Sequence, residues 1–169
     1  MPAVILLLLL VGAWLLWLAH RQQAALGLPS GQVVAIDDWP LRRLEQALYD
    51  PAANLAGRPD FLVQQGRSLI PVEAKSTPAP RQPYPSHVLQ LAAYCLLIEA
   101  VYGERPQWGV IRYADRALRV EYTPALEGQL RQVLAGMRGD LLAPPDRSHE
   151  SAARCRACGF RSACDRALA

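Results

Sequence analysis

Residues 57–76 read GRPDFLVQQGRSLIPVEAKS. Two apolar runs in this stretch flank a polar segment containing Gly66, which predicts two short strands joined as a hairpin. Such a hairpin brings Asp60, before the first strand, close to Glu73, near the end of the second. Side chains alternate along a strand, so Lys75 shares the face of Glu73 and lies beside both carboxylates. Two carboxylates and an ammonium group at one strand end would hold Mg²⁺ and a phosphate.

Lys75 stands out from the rest of the composition. It is the only lysine of the chain, and the other 17 of the 18 basic residues are arginine. Lysine is a compact point charge whose pKa falls readily on burial, whereas a guanidinium group stays charged and planar. The sequence therefore indicates that this position needs a property that arginine lacks. The alternative is a chance lysine on an exposed strand, paired with Glu73.

The bulk composition bounds the class of protein. A length of 169 residues gives room for one domain of ordinary size and a small appendage. The net charge of +3 is compatible with nucleic-acid binding but does not argue for it. Three of the 4 cysteines lie within the last fifteen residues. This clustering favours a metal site in a reducing compartment over a disulfide framework.

The amino-terminal residues 3–19 contain no charged or strongly polar side chain. As a helix they would span about 26 Å, close to the thickness of a bilayer core, with Trp14 and Trp17 near one interface. No positive side chain precedes the run and no small-x-small cleavage site follows, which favours a single membrane anchor over a signal peptide. Arg21 after the span predicts that the rest of the chain faces the cytoplasm.

Four parts are expected along the chain: a transmembrane anchor (1–21), a linker (22–31), an α/β core (32–146) and a cysteine-rich tail (147–169). The order of strands and helices in the core predicts a central sheet flanked by helices. Its expected elements are a strand over 32–36, at most a few helical turns within 39–54, the hairpin, a helix over 87–102 with Ser86 as N-cap and Gly103 as its end, a strand pair over 108–113 and 118–122, and an amphipathic helix over 126–142. The last helix is expected to bury Leu126, Leu130, Val133, Leu134 and Met137.

Three polar side chains share one face of the otherwise apolar helix 87–102. His87, Gln90 and Tyr94 follow one another at spacings of three and four residues. Polar groups on a buried helix need partners. They are either satisfied core residues or the lining of a substrate channel beside the carboxylates. Cys95 in the same helix is interpreted as an ordinary buried cysteine.

The segment before this helix holds four prolines between Pro78 and Pro85, which predicts a stiff exposed loop. Arg81 and Tyr84 lie in it and could meet a nucleic-acid backbone or base. A solvated loop without a ligand is the simpler interpretation of either residue alone.

The tail contains Cys155, Cys158 and Cys164, spaced so that one short segment can offer three thiolates to one metal. Zinc and iron–sulfur clusters usually need a fourth protein ligand. His149 as the fourth suits zinc, whereas Cys95 as the fourth suits [4Fe–4S]. Three free thiols at this spacing are the less favoured alternative.

Taken together, these motifs resemble the PD-(D/E)XK nuclease superfamily, and more narrowly the RecB-like exonucleases that accompany CRISPR systems. The matching segments, in the family's order, are Gly57-Arg58-Pro59-Asp60, Pro71-Val72-Glu73-Ala74-Lys75, Gln90-Leu91-Ala92-Ala93-Tyr94 and the terminal Cys-x2-Cys-x5-Cys. The resemblance covers the chain from about Gly31 onward. It implies a restriction-endonuclease-like fold, with a central mixed sheet flanked by helices.

The resemblance also implies roles for the individual residues. Asp60 and Glu73 would bind Mg²⁺ or Mn²⁺, and Lys75 would position and activate the attacking water. Gln90 and Tyr94 would contact the active centre or the DNA strand. The three terminal cysteines would be ligands of a [4Fe–4S] cluster or, failing that, of Zn²⁺ together with His149.

In two respects the chain departs from the family pattern. Between Arg21 and the Pro-Asp motif there is neither the histidine that usually binds the metal nor the usual fourth cluster cysteine. Asp37, Asp38 or Glu45 could supply the extra metal ligand, with no geometric reason to choose among them.

The expected function is that of a membrane-anchored, metal-dependent nuclease, acting as an exonuclease on single-stranded DNA ends. CRISPR or DNA-repair proteins are the expected partners. The first alternative is a catalytically degenerate DNA-binding or scaffold module, which the complete Asp–Glu–Lys set argues against. The second is an anchored zinc module in which Asp60 and Glu73 form a mere surface pair, and it leaves the single lysine unexplained.

Overall fold

The computed structural model describes residues 10–12, 14, 31–36, 39–139 and 150–168. Its contacts divide the chain into two compact units, Met1–Arg131 and Gln132–Ala169. In chain order the elements are β1 (Gln32–Val34), β2 (Leu48–Asp50), β3 (Leu55–Gly57), β4 (Phe61–Gln65), β5 (Ser68–Ala74), α1 (Pro85–Tyr102), β6 (Trp108–Arg112), β7 (Ala117–Glu121), α2 (Pro124–Gly139) and α3 (Ala152–Arg156), followed by a 3₁₀ turn at Arg161–Ala163. The boundary between the units falls inside α2. The predicted four-part division of the chain stays a prediction.

Five of the strands form one mixed sheet in the order β1-β7-β6-β5-β4. Only β5 and β6 run parallel, and the other three neighbours pair antiparallel. The short strands β2 and β3 form a separate antiparallel pair. Helix α1 connects β5 to β6 and packs on both strands and on the β2–β3 pair. The predicted α/β class with a central mixed sheet and flanking helices is confirmed.

The β4–β5 hairpin forms as its alternating pattern predicts. Phe61 pairs with Val72 and Gln65 with Ser68, which leaves a two-residue turn. Gly66 in this turn has φ of +61°, a conformation that glycine adopts without steric cost. On the inner face of the sheet, Ile70 and Val72 join the buried core.

Helix α1 is buried along most of its length, as its nearly continuous apolar sequence predicts. It begins two residues earlier than predicted, with Tyr84 as the N-cap residue and Pro85 in the first turn, where the missing proline N–H costs nothing. Ser86 is therefore not the cap. Gly103 ends the helix in the left-handed conformation, with φ of 74°. Below the helix, Gly109 of β6 leaves room for Leu91, because a Cβ there would lie 2.8 Å from a Leu91 methyl carbon.

Two predicted elements differ from the structure. Residues 39–54 contain no helical segment, although Leu41, Leu44 and Leu48 have helical spacing. Instead Arg42 pairs with Leu62 at the edge of the sheet, with its N–H 2.9 Å from the Leu62 carbonyl.

Helix α2, described as far as Gly139, also differs from its prediction, since it buries only the first part of its apolar side. Leu126 and Leu130 are buried, and Leu134 is partly exposed. Val133 is 44% and Met137 61% exposed. The predicted burial of these last two side chains is therefore wrong.

The predicted membrane-anchored location, with the following domain facing the cytoplasm, is corrected by the structure. Within the described part of the chain, no helix combines the length and the apolar character needed to cross a bilayer. Of the predicted span 3–19, only residues 10–12 and 14 are among those described, and the predicted linker 22–31 lies outside them except for Gly31.

Candidate active site

Asp60 lies immediately before β4, and its side chain reaches across to the end of β5. Its Oδ2 accepts a hydrogen bond from the backbone N–H of Ala74 at 2.8 Å. Pro59 before it is buried, whereas Asp60 itself is exposed. The hairpin therefore fixes an exposed carboxylate beside the residue that follows Glu73, as its sequence predicts.

Glu73, Lys75, Gln90 and Tyr94 form one continuous row of hydrogen bonds from β5 to α1. The Lys75 Nζ donates to Glu73 Oε1 at 2.7 Å and to Gln90 Oε1 at 3.0 Å. The Gln90 Nε2 in turn donates to the Tyr94 hydroxyl at 2.9 Å. The side chain of Glu73 is only 7% exposed and that of Lys75 23%. A half-buried ammonium group is thus held between a carboxylate and an amide oxygen.

The charges of both carboxylates reach the Tyr94 hydroxyl. Burial raises the pKa of Tyr94, a hydrogen bond from Gln90 opposes this effect, and the charges of Glu73 and Asp60 raise the pKa further. Tyr94 therefore remains a neutral hydroxyl at neutral pH, close to both acidic side chains. The structure brings together all five residues predicted for the catalytic group.

The parallel pairing of β5 and β6 holds the lysine from its backbone side. The N–H of Lys75, one residue beyond β5, donates to the carbonyl oxygen of Arg112 at 2.8 Å. Ala74 and Arg112 are register partners at the same strand ends. The carboxyl ends of the two parallel strands therefore lie side by side at Lys75.

His87 lies one turn before Gln90 and faces a different partner. Its Nδ1 is 2.9 Å from the Tyr113 hydroxyl, and its ring lies edge-on to Tyr84. Burial lowers the pKa of His87, and the positive charge of Lys75 lowers it further. His87 is therefore neutral at neutral pH and lies within the electrostatic reach of the lysine.

The donor set suits a divalent cation that prefers oxygen ligands. Asp60 and Glu73 offer carboxylate oxygens at one strand end, and Mg²⁺ or Mn²⁺ is commonly held by one or two carboxylates together with substrate phosphate. Nowhere in the described ranges do three His, Cys, Asp or Glu side chains converge as a complete ion site. Of the predicted extra ligands, Glu45 is exposed, whereas Asp37 and Asp38 lie outside the described residues.

The predicted four-ligand site of the tail is only partly covered by the described residues. In the second unit Cys155 is buried, whereas Cys158 and Cys164 are exposed. Cys95 in α1 is buried in the core, and burial raises the pKa of its thiol, as expected for an ordinary buried cysteine. His149 lies outside the described residues. The zinc or [4Fe–4S] site of the tail stays a prediction.

Two contributors to the site were missed at the level of sequence. Gly57 of β3 lies against the Tyr94 ring, and a Cβ at this position would be 3.1 Å from Tyr94 Cε1. Tyr113 contacts His87, although in the sequence it is only the last residue of a predicted apolar strand. The role of Gly57 could have been recognised from the sequence, because a glycine inside a strand often marks a place where another part of the protein approaches the backbone closely. No sequence signal linked Tyr113 to His87.

Comparison with known proteins identifies similar chains. The profile of the PD-(D/E)XK nuclease superfamily matches residues 11–165. The CRISPR-associated exonuclease Cas4 of Thermoproteus tenax is 24% identical over 124 residues, which make up 72% of this chain and 65% of that protein. This chain thus spans just under two thirds of the length of that relative. The crystal structure of SSO0001 matches with a TM-score of 0.50 and 20% identity over 79% of this chain and 65% of the other, a likeness of fold alone.

Proposed function

This chain belongs to the PD-(D/E)XK nuclease superfamily, and on that premise we propose that it hydrolyses phosphodiester bonds at a centre made by Asp60, Glu73 and Lys75. The observation that carries the proposal is the position of the chain's single lysine. Its ammonium group is 2.7 Å from Glu73 and 3.0 Å from Gln90, on the strand end to which the Asp60 carboxylate is tied. A surface ion pair without a function would not need a second, helical residue to orient it.

Each side chain has a distinct task in this proposal. Asp60 and Glu73 supply oxygen ligands for Mg²⁺ or Mn²⁺, which when bound lowers the pKa of a coordinated water and offsets the charge of the scissile phosphate. Lys75 orients the attacking water and stabilises the negative charge that develops on the phosphate oxygens. Gln90 holds the ammonium group in place, and Tyr94 fixes the rotamer of Gln90 through its hydroxyl.

The proposed substrate is DNA, and the proposed action is exonucleolytic removal of nucleotides from single-stranded ends. The similarity to a CRISPR-associated exonuclease supports this choice. On the same basis, CRISPR or DNA-repair proteins are the proposed partners. The predicted metal or cluster in the tail has no part in this mechanism, and the iron and zinc content of the full chain purified without oxygen is its direct test.

Cleavage of end-labelled single-stranded DNA, with and without Mn²⁺, tests the proposal. Lys75→Ala is expected to abolish metal-dependent cleavage while the protein stays folded. Arg67→Ala is the matched control: it also removes one positive charge from the hairpin, but at the opposite end, where the side chain is almost fully exposed. Cleavage by Lys75→Ala at the wild-type rate would refute the assignment. A wild-type protein that neither binds Mn²⁺ nor cleaves would instead be a degenerate binding module.

A further inference from the structure

We propose that Tyr84, supported by His87, is a stacking platform for an unpaired nucleobase of the strand being cleaved. The proposal rests on the proposed nuclease function and adds to it a specific contact with the substrate. Neither residue belongs to the hydrogen-bonded row that contains Lys75. Both lie at the start of α1, the same helix that supplies Gln90.

The Tyr84 ring is supported by His87 and remains accessible to solvent. Tyr84 is 53% exposed, although it is a large aromatic side chain. The ring of His87 lies 5.3 Å from that of Tyr84 at an angle of 85°, the edge-to-face geometry that aromatic pairs favour. His87 is held in turn by the buried Tyr113, whose hydroxyl is 2.9 Å from its Nδ1. The exposed ring therefore has a fixed aromatic support beneath it.

The backbone around Tyr84 is unusually stiff for a surface loop. Pro83 and Pro85 flank it, and its φ of −62° and ψ of 141° are those that the following proline favours. Its carbonyl oxygen accepts the N–H of His87 at 2.9 Å, which fixes it to the first turn of α1. Because the surrounding backbone is already fixed, a base that stacks here causes little further loss of conformational entropy in the protein.

The loop that leads to Tyr84 is also tied to the sheet. The N–H of Ala79 donates to Asp115 Oδ1 at 2.6 Å. The N–H of Ala114 donates to the Thr77 carbonyl oxygen at 3.1 Å. These two bonds join the proline-rich loop to the turn between β6 and β7. The platform is thus anchored on both sides, by the helix and by the turn.

The distance from the platform to the catalytic group suits a nearby nucleotide. Tyr84 precedes Gln90 by six residues, a rise of about 9 Å along a helix. Lys75 in turn is bonded to Gln90 of the same helix, with 3.0 Å between Lys75 Nζ and Gln90 Oε1. Stacked nucleotides are spaced by roughly 3.4 Å per strand. A base on Tyr84 would therefore belong to a nucleotide about three positions from the scissile phosphate.

An unpaired base fits this surface better than an apolar protein segment. The exposed residues on either side of Tyr84 in the sequence are polar or prolyl, including Arg81, so no exposed apolar side chain flanks it along the chain. Every base has a π-face that can stack on an aromatic ring, and each such contact contributes about 1–3 kcal/mol by alanine substitution. Bases inside a duplex have both faces covered by their neighbours. The platform therefore favours single-stranded substrate.

Binding of single-stranded oligonucleotides that carry one abasic residue at successive positions tests the platform. Affinities are measured by fluorescence anisotropy with a chelator present, so that no cleavage occurs. The wild-type protein should lose affinity by roughly five- to 150-fold when the abasic residue occupies one particular position. Tyr84→Ala should bind the intact oligonucleotide more weakly by a similar factor and lose its sensitivity to that position alone. Tyr84→Phe keeps the ring and should behave as the wild type.

The possible outcomes separate the two proposals. Unchanged affinity of a folded Tyr84→Ala, or a uniform weakening with no link to one position, overturns the platform while cleavage by the wild type can still stand. A positional signature in a protein that never cleaves with Mn²⁺ overturns the nuclease proposal and keeps the platform. A wild-type protein that neither binds an oligonucleotide nor cleaves one with Mn²⁺ overturns both. If Tyr84→Ala proves unstable on heating, the abasic scan with the wild type alone decides, since a flat profile contradicts the platform.

Discussion

The carboxylate of Asp60 and the backbone amide of Ala74 are joined by a 2.8 Å hydrogen bond that ties the start of β4 to the end of β5. This bond uses Oδ2 of the carboxylate, and its second oxygen has no hydrogen bond among the residues that the structure describes. It also fixes the aspartate relative to the backbone that carries Glu73, so that the spacing of the two acidic groups does not depend on flexible side chains alone.

Replacing Asp60 separates its structural role from its charge. In Asp60→Asn the amide oxygen can still accept the N–H of Ala74, whereas Asp60→Ala leaves that N–H to water. Both variants should lose metal-dependent cleavage. Asp60→Ala should also lose about 0.5–1.5 kcal/mol of unfolding free energy, and Asp60→Asn almost none. Urea denaturation followed by circular dichroism measures the difference, and equal stabilities would show that the bond contributes nothing.

Lysine and arginine should not be interchangeable at position 75. The Nζ is bonded at 2.7 Å and 3.0 Å to two oxygen atoms in a space that is largely closed to solvent. A planar guanidinium is larger and offers its donors in a rigid fork. Lys75→Arg should therefore reduce the cleavage rate by about a hundredfold or more, the scale of a lost preorganised donor. Single-turnover rates check this, and near-normal activity would show that charge alone suffices.

Gly109 and Gly128 make a matched pair for stability. A Cβ on Gly109 would meet three Leu91 atoms at 2.8 to 3.0 Å, whereas one on Gly128 in α2 meets nothing within 4 Å. Gly109→Ala should destabilise the fold by about 1–3 kcal/mol through overpacking. Gly128→Ala should stabilise it by roughly 0.5–1 kcal/mol, because alanine loses less backbone entropy in a helix. Thermal unfolding distinguishes them, and a neutral Gly109→Ala would mean that Leu91 repacks freely.

His87 should make stability depend on pH. Burial and the charge of Lys75 lower its pKa from the ordinary 6.5, so the folded state resists protonation. Above pH 6.5 neither state binds a proton there; as the pH falls below 6.5 the unfolded chain binds one and the folded chain does so only later, so stability falls. His87→Gln should flatten this part of the profile. Urea unfolding between pH 8 and 5 measures it, and identical slopes for both proteins would contradict the shift.

The sequence predicts those parts of the site that local periodicity controls. Alternation along residues 57–76 is sufficient to bring Asp60, Glu73 and Lys75 to one strand end, and helical spacing is sufficient to align Gln90 with Tyr94. The Arg112 carbonyl that holds the Lys75 backbone could not be predicted, because it depends on which strand pairs in parallel with β5. That choice is made by contacts distant in sequence rather than by local pattern.

The incorrect predictions about the fold also arise where contacts distant in sequence decide the structure. Leu41, Leu44 and Leu48 have helical spacing, but Arg42 instead pairs with Leu62 and the segment follows the sheet edge. Val133 and Met137 continue the apolar stripe of α2, yet they are exposed. In both cases the spacing is compatible with a helix that buries one face, and tertiary contacts decide whether such a face exists.

The parallel contact between β5 and β6 links residues that are far apart along the chain. Its three register pairs join Val72–Ala74 to Val110–Arg112, with the whole of α1 between them. Contacts of such sequence separation carry a high loop-closure cost and form late. A chain still emerging from the ribosome can therefore form the hairpin that carries Asp60, Glu73 and Lys75 before Arg112 and Gln90 are in place to hold the lysine. In the proposed nuclease, the complete arrangement around the ammonium group therefore waits until α1 and β6 have joined the hairpin.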